Sequence, residues 1–313
     1  MCGRRTASQR LGGLVVVVGE TSKSLARELR YILFMASWPV VLSIAGYDPS
    51  SGAGVTADIK TAAAMGCYAV TCITALTVQS SQGVFGVEPV RPETIRETLS
   101  RLADDFEIAA VRIGMLGTGE VAEVVAEFLR QVGARNVVLD PVLRSSSGRD
   151  LIDERGVEVV GSHFLPLADL ITPNFWEAIA LTGGSAEEFP TPASWEEALP
   201  VVRELAAKLH GRGCRGVVIT GGHLPEANDF LSVNEFGRMT EEVFYGSRIE
   251  SAATHGTGCA FATALACGLA QGRSTATAVR GAKEFVRRAM TAAYPVGKGT
   301  GPMNHLFRLT EER

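Results

Sequence analysis

The sequence predicts an α/β fold, a three-layer sandwich in which a mostly parallel sheet lies between two layers of helices. From Val40 onward, short apolar runs alternate with segments of helical periodicity, which is the order of a parallel sheet with crossover helices. The runs are apolar at successive positions, as in strands that helices cover on both faces. Glycine-containing or polar segments follow several runs, at the strand ends where open parallel sheets bind ligands.

The strands are predicted from these apolar runs and from their β-branched residues. The run 40–45 ends at Gly46, 68–78 is rich in β-branched residues, and 84–90 follows Gly83. The predicted strands span 40–45, 68–78, 84–90, 109–113, 136–139, 170–171 and 216–219, and two further short strands lie within 229–249. The run 136–139 leads directly into Asp140, and 170–171 leads into Thr172-Pro173-Asn174.

The helices are predicted from 3.6-residue periodicity and from their end signals. Pro92 stands in a first turn, where its missing N–H costs nothing. Glu196 and Glu197 stand in another first turn, where acidic side chains complement the helix dipole. The predicted helices span 53–65, 92–105, 120–132, a segment from Asn174 through Leu181, 194–209, 257–270 and 274–293.

Residues 1–34 are predicted to be an extension outside the fold, and 35–313 to form one domain. Three arginines precede a short apolar stretch, Leu14 to Val18, which is too short for a secretory signal or a membrane helix. Residues 21–34 have the composition of a short basic helix, and Met35, a candidate natural start, directly precedes the first strand region. After residue 35 the sequence contains no linker, repeat or low-complexity tract, which favours a single domain.

Charge and cysteine content narrow the class of protein. The chain has 30 basic and 34 acidic residues, a net charge of −4, and no long basic run, so neither a nucleic acid nor a membrane is an expected partner. Its six cysteines form no C-x-x-C pair, which argues against a zinc site and a disulfide scaffold and favours a cytoplasmic location.

The segment Thr254-His255-Gly256-Thr257-Gly258-Cys259, directly before a small-residue apolar run, has the chemistry of an anion cradle. Backbone N–H groups at a helix start lack intrahelical partners and carry partial positive charge, so a phosphate in transit is a plausible occupant. Cys259 would stand in the first turn, where a thiol pKa falls. The alternative is a structural turn capped by Thr257 with a small buried cysteine behind it.

Four other polar features have both a functional and a structural interpretation. The loop from Gly46 to Gly54 lets backbone approach a ligand, or is an ordinary turn. Asn174 and Glu177 share a helix face and would hold Mg²⁺ through waters, or form a capping box. Asp140 would serve the same metal–phosphate region, or is a solvated carboxylate. Gln79 would bind a heterocycle edge through its amide, or is exposed before a loop.

Taken together, these segments resemble the hydroxymethylpyrimidine/phosphomethylpyrimidine kinases of thiamine biosynthesis, in the ribokinase-like superfamily. The resemblance covers residues 38–308 and no single motif carries it. The colinear motifs are Ile44–Gly54, Ala57–Thr61, Ile73–Gln79, Ile113–Leu116, Leu139–Val142, Ile171–Ala178, Gly221–His223, His255–Cys259 and Gly301–His305. The resemblance implies a kinase that phosphorylates hydroxymethylpyrimidine and then its monophosphate. ATP would be the co-substrate and Mg²⁺ the cofactor.

The resemblance also implies roles for individual residues. Gln79 would bind the pyrimidine edge, in a pocket lined by Gly46, Ala53, Asp58, Met115 and Val142. Gly256, Thr257, Gly258 and Cys259 would form the anion hole, with Cys259 as the base that takes the hydroxyl proton. Asn174, Glu177, Asp140 and Thr220 would serve Mg–ATP. Family members are commonly dimers, which makes a homodimer the expectation here.

One departure and several alternatives remain open. The family often has lysine where this chain has Thr220, so the charge of the nucleotide phosphates must be met otherwise, by Mg²⁺ or by a nearby arginine. The alternatives are a pyridoxal/pyridoxine or dual-specificity kinase and a non-catalytic ligand-binding descendant. Gln79 and Cys259 disfavour a sugar kinase, because the sugar kinases of the superfamily have aspartate where this chain has Cys259.

Overall fold

The computed structural model describes residues 8–11, 14–17, 38–145, 148–185, 187–235 and 237–311. The chain divides into two compact units, Met1–Trp38 and Pro39–Arg313. In the first unit, strands β1 (Ser8–Leu11) and β2 (Leu14–Val17) pair antiparallel. The helix predicted over 21–34 lies outside the described residues.

The second unit contains one nine-stranded sheet in the order β11-β10-β9-β8-β7-β6-β3-β4-β5. Its strands are β3 (Val40–Tyr47), β4 (Tyr68–Ser80), β5 (Gly83–Pro89), β6 (Ile108–Ile113), β7 (Val137–Leu139), β8 (Leu170–Ile171), β9 (Gly216–Ile219), β10 (Asp229–Glu235) and β11 (Arg238–Phe244). The six central strands, β9-β8-β7-β6-β3-β4, pair parallel to one another. The edge strands pair antiparallel: β5 with β4 on one side, and β10 with β9 and β11 on the other. The predicted mostly parallel sheet is confirmed.

Helices cover both faces of this sheet, as predicted. They are α1 (Gly54–Ala64), α2 (Pro92–Asp105), α3 (Gly119–Val132), α4 (Glu154–Val159), α5 (Phe175–Leu181), α6 (Trp195–Gly211), α7 (Thr257–Ala270), α8 (Thr275–Thr291) and α9 (Arg308–Glu311). Helices α2, α3, α5 and α6 pack on one face and α1, α7 and α8 on the other. Each face of the sheet has its own hydrophobic core. Leu42 of β3 packs in the core beneath α2, α3, α5 and α6, and its neighbour Val41 packs in the core beneath α1, α7 and α8, because successive strand side chains point to opposite faces.

The sequence analysis missed the helical segment 154–164. There α4 continues directly into a π-helical turn, Val160–Phe164. The stretch carries two glycines and three valines, residues of low helix propensity. The N-cap Asp153, whose carboxylate accepts a hydrogen bond from the Gly156 N–H, and packing of Val159 and Phe164 into the core stabilise it. Among the described residues, no helix has both the length and the hydropathy needed to cross a bilayer.

His305 is expected to make the fold acid-sensitive. The residue is only 2% exposed, and burial, with Lys60 and His255 nearby, lowers the pKa of its imidazole to about 4. Folding therefore keeps the ring neutral below its ordinary pKa of about 6.5, and stability is lost as pH falls from there toward 4. Between pH 8 and pH 5 this one residue should cost about 2 kcal/mol.

The measurement is the free energy of unfolding in urea at both pH values, for wild type and His305→Gln. The variant should lose about 2 kcal/mol less than wild type on acidification, whatever packing it loses at pH 8. Equal losses in the two proteins would show that His305 is not the acid-sensitive group.

Candidate active site

A cavity of about 1730 Å³ opens at the carboxyl ends of the parallel strands. Parallel strands end at one edge of their sheet, so the polar segments that follow them meet there. All but one of the predicted site residues line this one cavity. They are Gly46, Ala53, Gln79, Met115, Asp140, Val142, Asn174, Glu177, Thr220, Gly256, Thr257, Gly258 and Cys259. The cavity therefore joins the predicted heterocycle site to the predicted anion cradle.

Asp58 is the exception, and its expected place in the pocket lining is wrong. Its side chain is 1% exposed on the inner face of α1. The carboxylate accepts hydrogen bonds from Ser43 Oγ at 2.5 Å and from Thr263 Oγ1 at 2.7 Å. These buried partners turn Asp58 into the interior, where it acts as a counter-ion rather than as a ligand contact.

The partner of Asp58 is Arg112, a cation that the sequence analysis did not identify. Arg112 is 0% exposed, and its Nη1 donates to Asp58 at 3.0 Å while its Nη2 donates to Asp140 at 2.7 Å. Burial raises the pKa of both carboxyl groups, and the guanidinium opposes that rise. The signal was an arginine inside the otherwise apolar run 108–113, since a charged residue is rarely buried without a partner.

The segment predicted to be an anion cradle is the start of α7. Gly256 precedes the helix with φ of +79°, and a Cβ there would lie 1.9 Å from the Gly52 carbonyl oxygen, so only glycine fits. No side chain among the described residues caps the helix. The Thr257 N–H donates to the Thr254 carbonyl oxygen at 3.5 Å, so an anion would bind the next first-turn N–H groups, those of Gly258 and Cys259. The alternative cap by Thr257 is wrong, because its hydroxyl donates back to the Thr254 carbonyl at 3.2 Å.

Cys259 lines the cavity in the first turn of α7, but the expected lowering of its thiol pKa is wrong. Burial raises that pKa to about 11; Arg112 opposes the rise, whereas Asp140 and Asp58 add to it. The helix start favours a thiolate, but two neighbouring carboxylates and the loss of hydration outweigh it. The thiol is therefore protonated at neutral pH.

Asn174 and Glu177 form the capping box that was the structural interpretation of their spacing. Asn174 Oδ1 accepts from the Glu177 N–H at 3.0 Å, and Glu177 Oε2 accepts from the Asn174 N–H at 2.8 Å. Both residues also line the cavity. Burial and the nearby Asp140 raise the pKa of Glu177 to about 8. Asp140 lines the same cavity, where a divalent cation would offset the charge of the two carboxyl groups.

In the described part of the chain, no three His, Cys, Asp or Glu side chains converge as a metal-binding group. Asp140 and Glu177 with the Asn174 amide fit a cation that keeps several waters, as Mg²⁺ does beside phosphates.

A second network, also missed, holds the loop after β3. Asp48 accepts hydrogen bonds from Ser50 N at 2.8 Å, Ser50 Oγ at 2.7 Å, Gly52 N at 3.1 Å and Ala53 N at 2.8 Å. Asp48 Oδ2 also lies 2.8 Å from His255 Nε2, which is 3.1 Å from the Gln79 amide nitrogen. The available signal was Asp48-Pro49-Ser50, a turn pattern in which a side chain binds the following backbone.

A lysine from α8 that also lines the cavity lies beside the segment that follows Thr220. Lys283 Nζ donates to Ala227 O at 2.5 Å and to Asp229 Oδ2 at 2.8 Å. Asp229 Oδ1 in turn accepts from the Gly221 N–H at 2.9 Å. A cation distant in sequence thus stands near the position where the family often has lysine.

The fold and this cavity define the class of protein: an α/β small-molecule kinase with the ribokinase-like architecture. In solved structures, the chain is similar to Bacillus subtilis pyridoxal kinase in an ADP complex, with a TM-score of 0.75 and 32% identity, over 87% of this chain and 100% of that one.

The family is narrower than the class. The family described as phosphomethylpyrimidine kinase matches residues 48–304, and the chain belongs to it. A hydroxymethylpyrimidine/phosphomethylpyrimidine kinase of Aquifex aeolicus is 40% identical over 260 residues, 83% of this chain and 97% of that protein. The thiamine biosynthesis bifunctional protein ThiED of Geobacter sulfurreducens is 38% identical over 87% of this chain, but the chain spans only 53% of its length.

Proposed function

We propose that this chain transfers the γ-phosphate of ATP to hydroxymethylpyrimidine and then to the resulting monophosphate, for thiamine biosynthesis. One observation carries the proposal: a single cavity joins the Gln79 amide to the anion cradle at Gly256–Cys259. Transfer between two small molecules requires that both fit one enclosed site in line. The family to which the chain belongs supports the choice of substrate.

Substrate recognition falls to Gln79 and to the apolar wall beside it. A primary amide offers one donor and one acceptor, which matches the ring nitrogen and exocyclic amino group of an aminopyrimidine. Gly46, Ala53, Met115 and Val142 line the same cavity, and they would hold the ring with its hydroxymethyl group toward α7.

The cradle at the start of α7 would receive the transferred phosphoryl group. Its free N–H groups are fixed by the fold before the substrate arrives, so they stabilise developing charge without reorganising. Cys259 lies at the same helix start, where its thiolate form would take the proton from the hydroxyl group and become the neutral thiol. A pKa of about 11 makes the thiolate scarce but strongly basic, so we place this proton transfer late, as the hydroxyl group becomes acidic.

The nucleotide phosphates would lie between the capping box and Thr220. Mg²⁺, held through waters by Asp140, Asn174 and Glu177, would supply charge neutralisation there. Thr220 contributes no charge, and Lys283 stands nearby to offset the phosphates.

The test is ADP release with hydroxymethylpyrimidine, its monophosphate and pyridoxal offered separately. We expect kcat/KM to be highest for the two pyrimidines. Higher kcat/KM for pyridoxal would favour the second candidate, a pyridoxal kinase, which the likeness to the Bacillus subtilis enzyme supports. No ADP with any of the three would favour a non-catalytic binding descendant.

We propose that residues 1–34 are dispensable for catalysis and that the enzyme acts in the cytoplasm. The second compact unit begins at Pro39 and contains the whole cavity, and the five cysteines of the described residues are free thiols. A chain lacking residues 1–34 should keep its melting temperature within a few degrees and its kcat within about twofold. Loss of solubility or of activity would show that the extension belongs to the working protein.

We further propose a homodimer formed through the edge hairpin of β4 and β5. Leu76, Val78 and Phe85 are 48%, 67% and 63% exposed there, and exposed apolar side chains on a sheet edge favour association. Light scattering should give a molar mass twice the chain mass of 33.2 kDa. The Val78→Asp variant should have a molar mass closer to that of a single chain. A monomeric wild-type protein would overturn this assembly.

A further inference from the structure

The hydrogen bonds around Gln79 contain a conflict over which groups donate. The structure places the Gln79 amide nitrogen 3.1 Å from His255 Nε2 and the amide oxygen 3.0 Å from Thr77 Oγ1. In this arrangement the Gln79 nitrogen donates to His255 Nε2, which must then carry no proton. The amide nitrogen and oxygen are nearly equal in size, so their positions follow from the partners rather than from shape.

The Asp48 carboxylate determines whether His255 Nε2 carries a proton. Every other partner of its carboxylate is a donor, namely Ser50 N and Oγ and the N–H groups of Gly52 and Ala53, so Asp48 is an acceptor only. Its Oδ2 lies 2.8 Å from His255 Nε2, a distance that requires a proton on that nitrogen. Burial raises the pKa of Asp48, but the bonds from His255 and Ser50 outweigh it and lower the pKa overall.

The hydrogen bonds of Thr77 also indicate that the Gln79 amide is turned with its NH₂ toward Thr77. Its hydroxyl also lies 2.9 Å from the Tyr47 carbonyl oxygen, and a hydroxyl has one proton to donate. If that proton goes to Tyr47, the hydroxyl oxygen is left as an acceptor. The Gln79 group facing Thr77 is then a donor, which is the NH₂.

We infer that Asp48 and His255 act as positioning residues that hold the Gln79 amide in one orientation, with its NH₂ toward Thr77 and its oxygen toward His255, whose single Nε2 proton is shared between Asp48 and Gln79. This inference rests on the proposed function and deepens it, because it names what sets the substrate specificity of that site. The imidazole cannot easily turn away, since its ring packs directly against Gly52, where even a Cβ would lie 2.2 Å from His255 Cδ2.

An amide held in one orientation can hydrogen-bond to only one order of donor and acceptor groups along the edge of the heterocycle. A 4-aminopyrimidine presents an acceptor ring nitrogen beside a donor amino group. The corresponding 4-oxo compound presents a donor N–H beside an acceptor oxygen, which is the reverse order. A freely turning amide would accept either compound with the hydroxymethyl group in the same place, whereas a fixed one rejects the 4-oxo compound.

The experiment compares kcat/KM for 5-hydroxymethyl-2-methyl-4-aminopyrimidine and its 4-oxo counterpart in three variants. His255→Leu should lower the preference for the amino compound at least tenfold, because Gln79 is then free to turn. His255→Gln, whose amide can still donate to both neighbours, should keep most of the preference. His210→Gln is the matched control, since the His210 ring bonds to Cys214 O and Ser232 Oγ and does not line the cavity.

Equal losses on both substrates in His255→Leu would mean a purely structural role and would overturn the inference. A second readout does not depend on catalysis: the ¹H–¹⁵N spectrum of the imidazoles in the full chain, with His255 assigned by its absence in His255→Gln. A proton on Nε2 supports the inference, and an unprotonated Nε2 overturns it. Absence of turnover with both pyrimidines in wild type would instead contradict the proposed function, while the spectrum still decides the orientation.

Discussion

Replacing Cys259 with alanine is expected to lower kcat for hydroxymethylpyrimidine by about 10²–10⁴-fold. The side chain lies at the start of α7, in the cavity that also reaches Gln79, and its thiolate form is the proposed acceptor of the hydroxyl proton. KM should change little, because the cradle N–H groups and the Gln79 amide remain. Initial rates of ADP formation over a range of both substrates measure the two constants separately.

The matched control is Cys214→Ala. Cys214 is 5% exposed in the core and does not line the cavity, so its removal should lower the melting temperature while leaving kcat near the wild-type value. Near wild-type turnover in Cys259→Ala would exclude the thiol as the base. The cradle could still operate in that case, with the proton leaving to the phosphate or to water.

Replacing Arg112 with glutamine is expected to lower the free energy of unfolding by about 3–5 kcal/mol. The guanidinium is fully buried between Asp58 and Asp140, and without it two carboxyl groups are left buried beside one another. Such a loss is a large fraction of the roughly 5–15 kcal/mol that stabilises a typical domain. Urea unfolding followed by circular dichroism measures it.

The control for this prediction is an ion pair on the surface. Arg96 and Glu127 lie 3.1 Å apart with side chains 57% and 51% exposed, and Arg96→Gln should cost less than about 1 kcal/mol. Adding Asp58→Asn to Arg112→Gln should restore part of the stability, because it removes one uncompensated charge. Equal effects of Arg112→Gln and Arg96→Gln would show that the buried pairs add nothing.

The order of strands and helices could be predicted from the sequence because each parallel strand is a continuous apolar run. Predicted and observed bounds agree within about two residues for most elements, and those of α2, α7, β8 and β9 agree fully. The helical segment 154–164 was not predicted, because its own residues have low helix propensity. Its core packing stabilises it, and packing cannot be seen in a local pattern.

Most of the site could be predicted as well, but Asp58 and Arg112 show the limit. Asp58 belongs to a motif that the sequence shares with the kinases, and motif membership does not say which way a side chain points. Arg112 stood out only as a charge inside an apolar strand. Its partners are 54 and 28 residues away, and a separation of that size leaves no periodicity to read.

The sequence by itself determined the sheet with helices on both faces, the glycine-bounded helix start at Gly256–Cys259, and membership of a kinase family, because these depend on local periodicity and on the order of short motifs. Only the tertiary structure decided which charges face the cavity, the high pKa of the Cys259 thiol and the contact of His255 with Gln79. Those properties depend on burial and on distances of a few ångströms between side chains far apart in the chain, and local sequence carries neither.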